Sequence, residues 1–226
     1  MGTLLRLEDP APRLRAALRA RFAVDVGVVA AAAAVRAEIA FYRANLHRGR
    51  DAESLAALRA ECAEKMRPVL PGPIAGAPQA ELTAALMEAL EFSVYDDVLP
   101  ALRELRAAGW ALAVVSNWDV SLHERIEEAG LAPLVDAVVS SAEVGAAKPE
   151  PAIFERALDL VGVAAADAWH VGDSVTEDVL GARAAGIRAV LLARDATSVV
   201  SCSHGEHEAT LVVLPDLTGL AYAVRP

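Results

Sequence analysis

Beyond Tyr95 short apolar runs alternate with amphipathic segments, and this rhythm leaves few folds open to the chain. Leu112–Val115, Ala137–Val139, Trp169–Val171 and Ala189–Leu192 are continuously hydrophobic rather than apolar at every other position. That is the signature of strands covered on both faces. Between them, Leu99–Ala108, Ser121–Ala129, Pro151–Leu160 and Asp178–Ala185 carry helix-period faces. Strand and helix in succession predict an α/β domain built on a doubly wound parallel sheet. Leu211–Leu214 predicts one more edge strand, ended by Pro215.

The N-terminal part has a different texture. Leu14, Ala17, Leu18 and Phe22 share one helical face, as do Val35, Ile39, Tyr42 and Leu46, and then Leu55, Leu58, Cys62 and Met66. Pro68, Pro71, Pro73 and Pro78, with Gly72 and Gly76 among them, interrupt the pattern before a last helix near Glu81–Leu90. A chain of 226 residues that is 55% hydrophobic can bury one sizeable core and a smaller second layer. The expected division is a helical block over 12–90, with 1–11 and 95–226 forming the α/β core.

The formal net charge of −10 opposes binding to nucleic acid or to anionic lipid, both of which need clustered Lys and Arg. Apolar stretches are broken by charge or proline well short of the ~18 residues of a membrane span, and no basic-then-apolar leader opens the sequence. Cys62 and Cys202 are far apart and form no CxxC pair. These features predict a cytoplasmic protein with free thiols and no nucleic-acid or membrane partner.

In a parallel sheet of this kind ligands sit beyond the carboxyl ends of the strands, so the residues after each apolar run come first. Ser116 and Asn117 offer a hydroxyl and an amide to a phosphoryl oxygen. Lys148, before Pro149, can neutralise charge on a transferring group. Gly172-Asp173 and Asp178 place two carboxylates past a strand and at a helix start, the chemistry of a Mg²⁺ site. Each residue also has a plainer reading. Asp173 and Asp178 could cap a helix, Ser116 and Asn117 could close a turn, and Lys148 could be a surface lysine.

This ordered set resembles the haloacid dehalogenase superfamily, and within it the phosphatase-like members that carry a small helical cap near the N-terminus. Ser116-Asn117 resembles the second family motif, Lys148 the third, and Gly172-Asp173 with Asp178 the fourth, while the 12–90 block occupies the cap position. The resemblance implies Mg²⁺-dependent phosphoester hydrolysis of a small phosphorylated metabolite. It assigns catalytic roles to Lys148 and Asp173, substrate binding to Thr3, Ser116, Asn117 and Lys148, and metal binding to Asp173 and Asp178.

The family's first motif, an apolar strand ending in Asp-x-x-Gly-Thr, is represented here only by Gly2-Thr3. Met1 stands at the acid/base position, and the nucleophilic Asp falls upstream of it. In the family that Asp forms an aspartyl-phosphate, so its loss predicts a chain that is inactive as written and truncated relative to a longer enzyme. The strand carrying it lies mid-sheet, between Trp169–Val171 and Leu112–Val115. A gap of about 9–10 Å is expected there unless the sheet closes up. A non-catalytic phosphate- or partner-binding protein is the competing class, and a haloacid dehalogenase-type hydrolase a further alternative.

Other residues keep open readings. Cys202, His204 and His207 have zinc-ligand types but sit in a polar loop, Thr197–Glu208. His170 is either a packed core histidine or an acid/base group. Trp118 and Asp119 either face substrate or close a turn. Phe41, Tyr42 and Leu46 read as core of the helical block.

Overall fold

The structure, a computed structural model, describes residues 2–194 and 211–225. The chain forms two compact units. The helical unit comprises Leu7–Ser93 and Trp118–Val120, and the second unit holds residues 2–6, Val94–Asn117 and the described residues from Ser121 onward.

The helical unit contains α1 (Pro10–Phe22), α2 (Val28–Asn45), α3 (Ala52–Met66), α4 (Gly72–Ala75) and α5 (Gln79–Ala89). Local chemistry sets their starts. The Asp9 side chain accepts from Ala11 N–H ahead of Pro10, and Asp51 and Ser54 form a reciprocal capping box at α3. Leu14, Leu18, Leu58, Met66, Leu82 and Leu86 are fully or almost fully buried where these helices meet. Each such side chain contributes about 1.5–3 kcal/mol relative to exposure. The unit is wider than 12–90, for two reasons. Short strands β1 (Leu5–Leu7) and β2 (Phe92–Val94), which the hydrophobic pattern does not reveal, pair with each other where the chain enters and leaves it. Trp118–Val120 also joins it: Val120 N–H donates to Gly49 O at 2.9 Å.

The second unit is α/β, with strands β3 (Ala113–Ser116), β4 (Ala137–Ser140), β5 (Trp169–Gly172), β6 (Arg188–Leu192) and β7 (Val212–Leu214). Helices α6 (Val98–Ala107), α7 (Leu122–Glu128), α8 (Ser141–Val144), α9 (Pro151–Val161), α10 (Gly181–Ala184) and α11 (Leu220–Ala223) fill the connections. Every core ladder is parallel: β3 with β4 from Ala113↔Ala137 to Ser116↔Ser140, β5 with β6, and β6 with β7. Ile153 and Phe154 of α9, with Val139, Val179, Ala182 and Leu191, make one buried cluster that serves both ladders.

The sheet is broken. One ladder is β3-β4 and the other β5-β6-β7, and among the described residues no backbone ladder joins β3 to β5. The break lies between the two strands that the resemblance places on either side of the family's first strand. No helix among the described residues is long and apolar enough to cross a membrane.

Candidate active site

The site is built at the carboxyl ends of β3 and β5. Ser116 ends β3, half-buried, in register with Ser140 of β4. Asn117 follows, and its amide is occupied at both ends. Its Nδ2 donates to Lys148 O at 3.0 Å, and Lys148 N–H donates to its Oδ1 at 2.7 Å. Sequence reasoning expected this amide to meet a phosphoryl oxygen. In the structure it bonds the backbone that carries Lys148, through one of its two amide hydrogens and its carbonyl oxygen.

Lys148 Nζ lies 2.6 Å from Asp178 Oδ1. The same oxygen receives His170 Nε2 at 2.8 Å, and Oδ2 accepts Ser174 N–H at 2.9 Å. Asp178 is 3% exposed. Burial alone would raise its carboxyl pKa, but the His170 bond and the Lys148 charge outweigh that and hold it well below the usual range. Burial pushes the His170 pKa down. A neutral imidazole must donate to the carboxylate through Nε2–H. His170 also packs edge-on against Phe154, with ring centroids 5.0 Å apart. The packing expectation for His170 therefore captured half of its task.

Asp178 is turned inward by a wide helical turn. Val175–Leu180 forms a π-helical segment before α10, with Val179 N–H reaching Ser174 O at 3.2 Å. The preceding Gly172 makes room for it, since a Cβ there would overlap the Asp178 carboxyl.

Asp173 is its opposite: exposed, and bonded through Oδ1 to the Thr3 hydroxyl, which donates at 2.7 Å. Gly2 has φ +110°, and a Cβ on it would overlap Asp173 Oδ2. Only glycine takes that conformation at so close an approach.

Two carboxylates were expected to share a metal, yet they sit in different settings. Asp178 is already bonded to Lys148, His170 and the Ser174 amide, whereas Asp173 presents an exposed carboxylate. Among the described residues no three His, Cys, Asp or Glu side chains gather around a common point. Mg²⁺ takes one or two carboxylates and keeps several waters, and of these two carboxylates it is Asp173 that is open to such an ion. Asp178 acts from behind, by holding Lys148.

Trp118 and Asp119 are buried in the helical unit, at 7% and 3% exposure. Asp119 Oδ2 accepts the Tyr42 hydroxyl at 2.7 Å, and the Trp118 ring lies 5.2 Å from that of Phe92. Phe41 and Tyr42 pack on the helical core as expected, but the Tyr42 bond was not foreseen, because nothing in the local pattern links residues so far apart. Cys202, His204 and His207 lie outside the described residues.

The sequence model of the haloacid dehalogenase-like hydrolases matches residues 2–186. The chain belongs to this hydrolase family. Similar to it are a phosphoserine phosphatase of Thermus thermophilus, 42% identical over 123 residues, 53% of this chain and 49% of that protein, and the haloacid dehalogenase-like hydrolase domain-containing protein 3 of Bos taurus, 39% identical over 127 residues, 53% and 51%. The chain thus spans about half the length of the curated relatives it matches. Among solved structures, the L-2-haloacid dehalogenase of Xanthobacter autotrophicus superposes with a TM-score of 0.65 at 24% identity, covering 99% of this chain and 95% of that one. That likeness establishes a haloacid dehalogenase-like fold, with relatives by sequence among phosphatases.

Proposed function

We propose that this hydrolase is of the phosphatase type and that its site holds the phosphoryl group of a small phosphorylated metabolite beside Mg²⁺. One observation carries the reading. Lys148 is fixed by its backbone to Asn117 and by its ammonium to Asp178, while Asp173 is left exposed and oriented by Thr3. An ammonium has three donors, and the one engaged by Asp178 leaves two for phosphoryl oxygens. Ser116 adds a hydroxyl at the end of β3. Asp173 would hold Mg²⁺, which supplies positive charge against the phosphoryl oxygens when bound. The phosphatase among the relatives supports this over dehalogenation of small haloacids, which needs no metal. Cys62, a buried free thiol, supports a reducing, cytoplasmic setting.

Residues 1–226 place Met1, not a carboxylate, ahead of Gly2. On this reading the described residues bind and orient phosphate, and the attacking carboxylate of the family's first motif is not among them. Binding of orthophosphate, followed by calorimetry with and without Mg²⁺, tests the first half. Affinity is expected to rise with Mg²⁺, and the rise to vanish in Asp173→Asn. Phosphate binding indifferent to Mg²⁺, to Asp173→Asn and to Lys148→Met would remove the reading. Hydrolysis of p-nitrophenyl phosphate tests the second half: none is expected, and turnover lost in Asp173→Ala would overturn it.

A further inference from the structure

Thr3 reaches Asp173 from a short turn, and the hold on that turn comes from a side chain far along the sequence. Among the described residues, and outside the β1–β2 ladder, backbone bonds that tie the turn are Gly2 N–H to Leu5 O at 2.9 Å and Tyr95 N–H to Leu4 O at 3.2 Å. Neither engages the carbonyls of Gly2 and Thr3, the residues nearest Asp173. Both carbonyls are taken by the guanidinium of Arg194, two residues past the end of β6. Its Nε donates to Gly2 O at 2.9 Å and its Nη2 to Thr3 O at 2.7 Å.

The guanidinium is itself fixed from two sides. Asp97, just before α6, accepts from Nη1 at 3.0 Å and from Nη2 at 2.9 Å. Asp97 Oδ2 is held in turn by Leu217 N–H at 2.7 Å. The Tyr95 ring lies under the guanidinium, 3.8 Å from its central carbon. Arg194 and Asp97 side chains are only 15% and 14% exposed, so the pair is far less screened than a surface ion pair. A planar fork of donors is needed to serve two adjacent carbonyls and a carboxylate at once. A lysine ammonium, a point charge on a flexible stem, cannot hold all three in one plane.

We infer that Arg194 is a positioning residue of the Asp173 site: through the carbonyls of Gly2 and Thr3 it holds the Thr3 hydroxyl on Asp173, and so sets the carboxylate that meets the cation. Asp97 and Tyr95 hold Arg194. The inference rests on the reading of Asp173 as the carboxylate for Mg²⁺. Removing partners that orient a metal ligand costs about 10–100-fold in metal affinity.

The test uses the full chain and two readouts. The order parameter of the Thr3 methyl group, measured by NMR without metal, reports the hold on the turn. Amide shifts near Asp173 during a Mg²⁺ titration report the affinity. In Arg194→Lys the Thr3 order parameter is expected to fall and Mg²⁺ affinity to drop at least about tenfold. Thr3→Val should lose a similar factor, and the double variant no more than either single, because both act on one contact. Should Arg194→Lys fail to fold, Asp97→Asn loosens the guanidinium without substituting any residue of the turn or Asp173, and the same two losses are expected in smaller measure. An unchanged Thr3 order parameter, unchanged Mg²⁺ affinity, or losses that multiply in the double variant would overturn the inference. Failure of Mg²⁺ to bind the unaltered chain would instead overturn the reading of Asp173, and the positioning role with it, while the Thr3 order parameter would still decide whether Arg194 holds the turn.

Discussion

Lys148 and Asp178 form a buried ion pair, Nζ to Oδ1 at 2.6 Å, with side chains 11% and 5% exposed. Burying two charges is costly, and their mutual attraction offsets that cost only where the remaining valences are also met. Here they are met, by His170 and the Ser174 amide on Asp178. Breaking one side is therefore worse than removing both. Lys148→Met should destabilise the chain by about 3 kcal/mol or more, because the carboxylate stays buried without its cation. Lys148→Met combined with Asp178→Leu should regain much of that loss in urea denaturation. A double variant as unstable as the two singles added together would contradict the pairing.

The same pair gives the stability an acid limb. The folded carboxyl of Asp178 lies below its ordinary value of 3.8, so its contribution is present above that value and is lost as the pH falls toward the folded one. Denaturation midpoints measured downward from pH 5 should decline, and in Asp178→Asn that decline should be shallower.

Glu38 works with the opposite sign. It lies within the helical unit at 4% exposure, and burial raises its carboxyl from 4.5 to about 7, an effect only partly offset by a bond from Cys62. The Cys62 thiol is itself pushed up to about 12, chiefly by burial, so it remains a thiol and can donate. A raised acid favours folding fully below its unfolded value, and the contribution is lost as the pH rises from 4.5 through about 7. The loss is of order ~3 kcal/mol. Glu38→Gln, neutral at every pH, should flatten the stability profile between pH 5 and 8 and leave the variant more stable than the parent at pH 8. Equal slopes in the two proteins would show that Glu38 does not titrate in this range.

The strand and helix order of the α/β unit was legible because its signal is local: continuous apolar runs, each followed by a helix-period face, gave strands within a residue or two of their final bounds. The places of Ser116 and Asp173, at the ends of β3 and β5, were legible for the related reason that strand ends are where such a sheet presents side chains. What stayed hidden depends on contacts between distant residues. The two-sided bond of Asn117 to the Lys148 backbone, the sharing of one Asp178 oxygen by Lys148 and His170, and the grip of Arg194 on Gly2 and Thr3 leave no periodic trace. Asp173 and Asp178 look alike in sequence. A single π-helical turn turns Asp178 inward toward a lysine and leaves Asp173 in solvent.

Two glycines mark the tightest approaches. At Gly172 a Cβ would overlap the Asp178 carboxyl, and at Gly2 it would overlap Asp173 Oδ2 in a backbone with φ +110°. Gly172→Ala should push Asp178 away from Lys148 and cost about 1–3 kcal/mol by overpacking, read as a lowered urea midpoint. Gly2→Ala, at a surface turn, should cost less stability but weaken Mg²⁺ binding, because it displaces the exposed Asp173 carboxylate. A Gly2→Ala protein with unaltered Mg²⁺ affinity would place the cation elsewhere.

Asn117 separates positioning from direct binding. If its amide served a phosphoryl oxygen, Asn117→Asp would place a negative charge against phosphate and abolish binding. If it serves Lys148, Asn117→Asp keeps the acceptor for Lys148 N–H at Oδ1 and loses only the donor to Lys148 O. The geometry predicts the second pattern. Asn117→Ala, which loses both bonds, should weaken orthophosphate binding by roughly tenfold, about 1.4 kcal/mol, the size of one or two net hydrogen bonds. Asn117→Asp should bind better than Asn117→Ala. Calorimetric titration of the two variants decides it, and the reverse ranking would return Asn117 to the phosphate.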